Sequence, residues 1–297
     1  MKKTKITEMI KKGKILVSDG AWGTFLIQRG LKLGECPEKW CLDQPEVVFE
    51  IAKSYLEAGA DLIETNSFGG SRYKLATFGL AEKTSEINKA AAEISRKAAG
   101  DEQWVIASMG PTGKMLLTRE VSEENLYDVF REQALALEEG GADGICIETM
   151  SDLGEAVQAV RAVKENTHCQ ILATFTFDLT PKGEYRTMMG VTPARMAAGL
   201  LDAGAEIIGA NCGNGMQRMV EIVRELRSVD QKIPILVHAN AGLPVLVDGK
   251  VVYPETPEEM ARWVPELITA GANIIGGCCG TTPEHIRAIK RAVESYP

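Results

Sequence analysis

The chain has 297 residues, of which 45% are hydrophobic and 25% are charged, and its formal net charge is −8 at pH 7. These values are typical of a globular protein that buries a large core, so neither disulfides nor a structural metal is needed for stability. They argue against a protein that binds nucleic acid through a basic surface, because no basic surplus is present to release counterions from phosphates.

The N-terminus and the cysteine content predict a cytoplasmic protein. The first residues are basic but lack the apolar run of a secretion signal. The longest charge-free run, residues 267–283, is interrupted by several glycines, so no membrane span is expected. The chain has seven cysteines, and an odd number in a long chain favours reduced thiols over a disulfide scaffold.

Short apolar runs of strand length alternate with stretches of helical periodicity along the whole chain. Such alternation predicts βαβ units and a parallel sheet. Eight units in this length favour an α/β fold of the closed (β/α)₈ TIM-barrel type over an open sheet, and we expect one such domain over residues 1–297. The predicted strands are 15–18, 60–65, 104–109, 144–148, 171–177, 206–210, 233–237 and 272–276.

Signals at the predicted helix ends agree with this fold. Three helices are expected to begin at a Pro preceded by a capping Thr, at Thr192, Thr256 and Thr282. Four similar Gly-Ala segments precede strands two, four, six and eight, where the Gly can end a helix in the left-handed conformation. These segments are either an internal repeat of two βα units or favourable helix-to-strand chemistry. Their glycines are Gly59, Gly141, Gly204 and Gly271.

Polar residues end most of the predicted strands, and in a TIM barrel the active site is built at those carboxyl ends. Carboxylates follow strands one, two and four, whereas thiols follow strands six and eight. This arrangement predicts a pocket with acids on one side and thiols on the other. The residues are Asp19-Gly20, Glu64-Thr65-Asn66, Glu148-Thr149, Asn211-Cys212, Asn240 and Cys278-Cys279.

Cys212, Cys278 and Cys279 give the most specific signal. Strands six and eight are alternate strands whose side chains can share one layer, and the glycines around the vicinal pair permit a turn that lets both thiols face one point. Three thiolates with an open fourth position suit a catalytic zinc site, where a further thiol would remain a nucleophilic thiolate at neutral pH. Inert packing and a redox-active vicinal disulfide are the alternatives.

The acids on the other side of the pocket suit an amino acid. Asp19 and Glu148 could hold a substrate ammonium, and the amides of Gly20 and Ala21 could bind its carboxylate. Beside a thiolate site, they predict recognition of an amino acid that carries a thiol. The alternative is that Asp19 forms a turn and Glu148 caps a helix. Glu64 either supports the pocket or is structural.

The motifs around these residues resemble those of the homocysteine S-methyltransferase family, in particular the homocysteine-binding module of cobalamin-dependent methionine synthase. The matching segments run through nearly the whole chain in order, and the last is the most specific. They are DGAWGT (19–24), ETNSFG (64–69), GPTG (110–113), ET (148–149), NC (211–212) and GGCCGTTP (276–283).

The resemblance implies a (β/α)₈ barrel in which the three cysteines hold Zn²⁺. It implies that Asp19 and Glu148 bind the amino group of homocysteine, while amides near Gly20 bind the carboxylate. In methionine-synthase-like members the Asn of a Pro-Asn-Ala-Gly motif fills the fourth metal position until the substrate arrives. Here Asn240 matches that Asn, although Ala239 replaces the Pro.

The expected activity is methylation of homocysteine to methionine with a donor supplied in trans. Betaine-using members cage the donor with aromatic residues after the inner Glu and in the strand-two loop, where this chain has Thr149 and Gly69. Betaine is therefore disfavoured, which leaves a methyl-corrinoid protein or a sulfonium such as S-methylmethionine. Two other functions stay open: a demethylase component that moves methyl groups to a corrinoid or another thiol, and a non-catalytic zinc-binding or redox-sensing protein.

Overall fold

The computed structural model describes residues 4–247 and 249–297. Eight parallel strands form one sheet in the order β1-β8-β7-β6-β5-β4-β3-β2, and a bridge between Ser18 and Leu62 closes it. The predicted TIM-type barrel is therefore confirmed. The strands are β1 (Leu16–Val17), β2 (Leu62–Ile63), β3 (Trp104–Met109), β4 (Gly144–Met150), β5 (Gln170–Phe175), β6 (Ile207–Asn211), β7 (Ile235–Ala239) and β8 (Ile274–Gly277).

The helices surround the barrel and pack on it through one large apolar cluster. No helix within the described residues is long and apolar enough to cross a membrane. The helices are α1 (Ile6–Lys11), α2 (Gly23–Gln28), α3 (Trp40–Asp43), α4 (Pro45–Glu57), α5 (Arg72–Ala76), α6 (Thr84–Ala99), α7 (Glu123–Glu139), α8 (Leu153–Asn166), α9 (Pro193–Ala203), α10 (Met216–Val229), α11 (Pro257–Ala261), α12 (Val264–Ala270) and α13 (Pro283–Glu294).

The local signals are confirmed at the helix ends. Thr192, Thr256 and Thr282 occupy the N-cap positions of α9, α11 and α13, each followed by Pro. The four glycines before β2, β4, β6 and β8 have φ values of 101°, 98°, 108° and 112°, in the region that favours glycine. Each helix therefore stops where the chain must reverse into the next even-numbered strand.

Two antiparallel hairpins extend the barrel beyond the predicted elements. Asp178–Leu179 pairs with Tyr185–Arg186 in the segment after β5, and Val245–Val247 pairs with Lys250–Val252 in the segment after β7. Both lie in connections that leave the carboxyl ends of strands. The carboxyl side of the barrel thus carries more structure than the strand-helix pattern predicted.

Side chains in the barrel interior change from apolar to polar toward the carboxyl ends. Near the amino ends, every strand contributes to a buried cluster that Ile6 of α1 also joins: Leu16, Leu62, Trp104, Ile106, Cys146, Leu172, Ile207, Leu236 and Ile274. Alternate residues of a strand face the same side. The next interior layer is therefore Ser18, Glu64, Ser108, Glu148, Thr174, Gly209, His238 and Gly276. Its polar members are buried, and they form the base of the site.

Candidate active site

Cys212, Cys278 and Cys279 meet at one side of the barrel mouth. Their three Sγ atoms lie within 4.8 Å of one another, and those of Cys212 and Cys279 are 3.9 Å apart. Zn–S bonds of about 2.3 Å in a tetrahedral site separate the ligand sulfurs by about 3.8 Å. The donor set and its spacing therefore fit a zinc ion.

Strand β7 holds the backbone of two of these cysteines from its two sides. The amide of Cys212 donates to the carbonyl of His238 (3.0 Å), and the amide of Cys278 donates to the carbonyl of Ala239 (2.7 Å). Cys212 has a φ of 58°, a conformation that non-glycine residues rarely adopt. The thiol is therefore placed by an unusual local conformation just beyond β6.

A tight turn brings the second thiol of the vicinal pair to the same point. The amide of Thr281 donates to the carbonyl of Cys278 (3.1 Å), and Ala241 donates to the carbonyl of Cys279 (3.0 Å). Gly280 has a φ of 82°, and a Cβ there would lie 2.2 Å from Tyr253. The turn predicted from the flanking glycines is confirmed, and Gly280 is required both for its conformation and for space.

Of the three thiols, Cys279 has the lowest pKa. Hydrogen bonds from Cys212 and Cys278 lower the pKa of Cys279 to about 3, and a contact with Tyr253 acts in the same direction. Hydrogen bonds of Cys278 with Cys212 and Cys279, together with burial, raise the pKa of Cys278 well above its usual value. The hydrogen bonds within the cluster thus favour a thiolate at Cys279, and a bound cation would favour loss of the protons from the other two thiols.

Glu148 points into the polar layer opposite the thiols. The hydroxyl of Ser108 donates to its Oε1 atom, and the side chain of Asn211 donates to Oε2 (3.1 Å). Burial, together with the charges of Asp19 and Cys279, raises the pKa of Glu148 to about 7, although the Ser108 hydrogen bond opposes this shift. A bound cation beside Glu148 would favour its ionised form.

Glu64 and His238 lie beside Glu148 in the same layer, and ligand atoms of the three lie within 4.8 Å of one another. Burial lowers the pKa of His238 to about 4, so its 3.6 Å contact with Glu64 joins a carboxyl group to a neutral imidazole. Burial, and then the charges of Glu148 and Asp19, raise the pKa of Glu64 well above its usual value. Both Oε1 of Glu64 and Nε2 of His238 are buried without a hydrogen-bond partner.

Asp19 is buried next to this layer, and both of its oxygens accept hydrogen bonds. Its Oδ2 atom accepts from the indole of Trp22 (2.9 Å) and from the amide of Glu64 (2.9 Å), and Oδ1 accepts from Ser18 (3.2 Å). Burial raises the pKa of Asp19 to about 7 against these bonds. Asp19 therefore contributes charge near the cavity and anchors Trp22.

The predicted anion site at Gly20 and Ala21 differs from a simple pair of amides. Both residues line the cavity, but the Ala21 amide donates to the hydroxyl of Thr281 (3.0 Å). A Cβ on Gly20 would lie 2.6 Å from that same hydroxyl, so the contact needs glycine. Of the two predicted amides, the one on Gly20 is thus the candidate for binding an anion.

Asn240 is buried at the end of β7. Its amide donates to the carbonyl of Asn214 (2.9 Å), and its Oδ1 atom is buried without a hydrogen-bond partner. A buried amide oxygen without a partner is costly unless something binds it. Asn240 therefore offers one oxygen donor in the segment that also fixes the cysteine backbones.

A cavity of about 390 Å³ connects the two halves of the site. The three cysteines line one part, and Glu64 and Glu148 line another. Trp22, Glu38 and Phe68 also line it, although the sequence analysis gave none of them a role. One cavity can thus hold a molecule with a sulfur at one end and a cationic group at the other.

The sequence model of the family described as homocysteine S-methyltransferase matches residues 16–293. The chain belongs to the homocysteine S-methyltransferase family. This membership confirms the family that the sequence motifs indicated.

Relatives of known name agree with the family. The chain is 34% identical to a methionine synthase of Mycobacterium leprae (strain TN) and 33% identical to one of Mycobacterium tuberculosis (strain ATCC 25618 / H37Rv), with 94% of the chain covered. It spans 24% and 25% of those proteins, about a quarter of their length. The metallated crystal structure of the homocysteine methyltransferase MmuM from Escherichia coli superposes with a TM-score of 0.79 at 26% identity, over 96% of this chain and 98% of that one.

Phe68 changes the expectation that the strand-two loop brings no aromatic residue to the site. The strand-two loop has glycine at position 69, but the preceding Phe68 brings an aromatic ring to the cavity wall and packs on Gly110, where a Cβ would lie 2.5 Å from the ring. Gly69 instead donates its amide to Glu38 (2.6 Å). The family motif contained Phe68, but only the folded loop shows which of its residues reaches the cavity.

Glu64→Gln is expected to increase the free energy of unfolding, and by more at pH 8 than at pH 5. The pKa of Glu64 is higher in the folded protein than the value near 4.3 expected for the unfolded chain. As the pH rises above 4.3, folding must therefore either keep the carboxyl protonated or bury its charge, and both lower the stability of the folded protein. A neutral isostere removes that cost, so the gain in stability should be larger at pH 8 than at pH 5. Denaturant titrations at the two pH values check this, and an equal gain at both would contradict it.

Proposed function

We propose that the protein is a zinc-dependent homocysteine S-methyltransferase that converts homocysteine to methionine. One observation carries the proposal: three thiols spaced for a single metal ion and the buried carboxylate of Glu148 line the same cavity of about 390 Å³. Homocysteine carries a thiol and an ammonium group, so it can bind the metal through the thiol and Glu148 through the ammonium group. We further propose that residues 1–297 act as one homocysteine-binding unit in the cytoplasm, where the unpaired cysteines stay reduced.

Cys212, Cys278 and Cys279 would hold the zinc ion. The Oδ1 atom of Asn240, buried without a partner, is the proposed fourth ligand before homocysteine arrives. When bound, the ion would keep a substrate thiol deprotonated at neutral pH, where a free thiol with a pKa of about 8.5 is mostly protonated. The chain would supply these ligands from positions just after β6, β7 and β8.

The substrate ammonium is proposed to lie against Glu148, with Glu64 beside it. The Oε1 atom of Glu64 has no hydrogen-bond partner, so it can accept from an ammonium without giving up an existing bond. Asp19 would add negative charge to this region through its buried carboxylate. Gly20 would donate its amide to the substrate carboxylate, while the amide of Ala21 remains bonded to Thr281.

The transfer itself is a direct displacement. The sulfur of homocysteine forms a bond to the methyl carbon while the bond from that carbon to the donor breaks, and the donor leaves with the electron pair. The thiol proton has already left to solvent when the substrate binds. The residues of this chain mainly orient the nucleophile and restrict its approach, which is a large part of the catalysis of such a step.

The apolar surface of the barrel mouth favours a protein as methyl donor. Exposed large hydrophobic side chains occur in the segments after five barrel strands, among them Leu33, Phe68, Leu117, Met188 and Leu246. The hairpin after β7 contributes Leu246 at 75% exposure and Val251 at 62%. Apolar surface concentrated in this way is typical of an interaction site. We therefore propose a methyl-corrinoid protein as donor ahead of a sulfonium.

Thiol binding and methyl transfer test the proposed function together. Zinc-loaded protein is expected to bind homocysteine more tightly than cysteine or 2-mercaptoethanol, measured by calorimetry. Isotope-labelled homocysteine is then incubated with a methyl-corrinoid protein or with S-methylmethionine, and labelled methionine is quantified. Methionine from the corrinoid protein alone supports the proposed donor, and methionine from S-methylmethionine alone replaces it. Equal binding of the three thiols contradicts the proposed substrate.

A further inference from the structure

Asn211 joins the two halves of the site. It ends β6, precedes Cys212, and its buried side chain uses its full hydrogen-bonding capacity. The Nδ2 group donates to Oε2 of Glu148 (3.1 Å) and to the hydroxyl of Thr149 (2.7 Å). The Oδ1 atom accepts from the amide of Thr149 and from the hydroxyl of Thr174, both at 2.8 Å.

The residues on either side of this network have an unusual backbone conformation. Thr149 has a φ of 59° and Cys212 a φ of 58°, in the left-handed region that costs a non-glycine residue about 1 kcal/mol or more. The pairing of β4 with β5 also shifts register between Ile147 and Met150. Such conformations persist where the surroundings fix them, and Thr149 is fixed by one hydrogen bond that it donates to Asn211 and one that it accepts from it.

We propose that Asn211 is the positioning residue that makes the site select thiols carrying an α-amino group. The inference rests on the proposed function, because it takes Glu148 as the group that binds the ammonium. Asn211 orients the Glu148 carboxylate and is covalently linked to Cys212. It thereby sets the distance between the charge that receives the amino group and the sulfur that receives the metal. Only a thiol whose amino group lies at the matching distance from its sulfur can bind Glu148 and the metal at the same time.

The test compares homocysteine with 4-mercaptobutanoate, which is the same molecule without its amino group. Dissociation constants of both thiols are measured by calorimetry on zinc-loaded protein, and their ratio gives the preference for the amino group. Asn211→Ala is expected to reduce that preference about tenfold, the scale of one hydrogen bond to a charged group. A general structural defect would weaken both thiols equally and leave the ratio unchanged.

Three further variants separate the roles of the network. Ser108→Ala removes the other hydrogen bond to Glu148 and is expected to lower the ratio with zinc content unchanged. Thr174→Val removes one bond to Asn211 alone and is expected to lower it less. Asn273→Ala is the matched control: this asparagine lies just before β8 at the amino end of the barrel, its Oδ1 atom accepts from the amide of Ile235 (3.0 Å), and the ratio should stay at the parent value.

Failure of the inference differs from failure of the proposed function. A parent protein without any preference for homocysteine over 4-mercaptobutanoate contradicts the role of Glu148 and with it the proposed substrate site. A selective parent whose ratio is unchanged in Asn211→Ala overturns the role of Asn211 alone. Where Asn211→Ala does not fold or retain zinc, Thr174→Val decides, and a ratio equal to that of the parent is the contradicting result.

Discussion

Cys279→Ala is expected to abolish stoichiometric zinc binding and to lower methyl transfer by about 10³-fold or more, the scale of losing a group that activates the nucleophile. Removing one of three sulfurs within 4.8 Å of one another leaves two thiol ligands in a site built for three. The variant also removes the thiol with the lowest pKa in the cluster. Metal content by mass spectrometry and initial rates of methionine formation are the measurements.

Cys169→Ala is the matched control for that experiment. Its thiol is buried next to the start of β5 and contacts the carbonyl of Ala142 at 3.4 Å, at the amino end of the barrel. Zinc content and rate should stay close to those of the parent. A Cys279→Ala protein with normal zinc and normal methyl transfer would show that the three-thiol site is not the reaction centre.

Glu148→Gln is expected to weaken homocysteine binding by about 100-fold while zinc is retained. Glutamine keeps the size of the side chain but removes the charge that would face the ammonium, and hydrogen-bonded charge pairs of this kind contribute about 2–5 kcal/mol. The loss should therefore fall on homocysteine and spare 4-mercaptobutanoate. Calorimetric titration of both thiols, with zinc content measured on the same samples, checks the prediction.

Glu206→Gln provides the control at the opposite end of the barrel. Glu206 lies just before β6, at the amino end of the barrel, and accepts from the amide of Ile171 (3.1 Å). Glu148 lies near the carboxyl end of the barrel. This control should bind both thiols as the parent does. Loss of zinc in Glu148→Gln, or homocysteine binding as tight as in the parent, would contradict the assignment of Glu148 to the ammonium.

The thiol cluster was predictable because it depends on a short sequence motif and on the order of the strands in the barrel. The vicinal pair, its flanking glycines and the alternation of strands and helices are all visible in the sequence, and in a barrel they bring strands six and eight around strand seven. The side-chain network of Asn211 was not predictable. It requires the contact of β4 with β6 across the barrel interior, and left-handed residues at positions 149 and 212 carry no sequence mark.

Other features were missed for different reasons. The hairpin after β7 did have a signal, since Asp248-Gly249 lies between two apolar runs, as is typical of a two-residue hairpin turn. The engagement of Ala21 with Thr281 had none, because the partners are 260 residues apart in the chain. Sequence patterns therefore predict the elements and their order, whereas the free amides and the cavity wall depend on contacts between distant segments.

The central claim is that three cysteines bind a metal ion and leave one position for the sulfur of homocysteine. Zinc X-ray absorption of the loaded protein, recorded without and with homocysteine, tests it most directly. We predict three sulfur neighbours at about 2.3 Å and one nitrogen or oxygen neighbour without substrate, and four sulfur neighbours with it. An unchanged spectrum on saturation with homocysteine, or fewer than three sulfur neighbours at the start, would contradict the account.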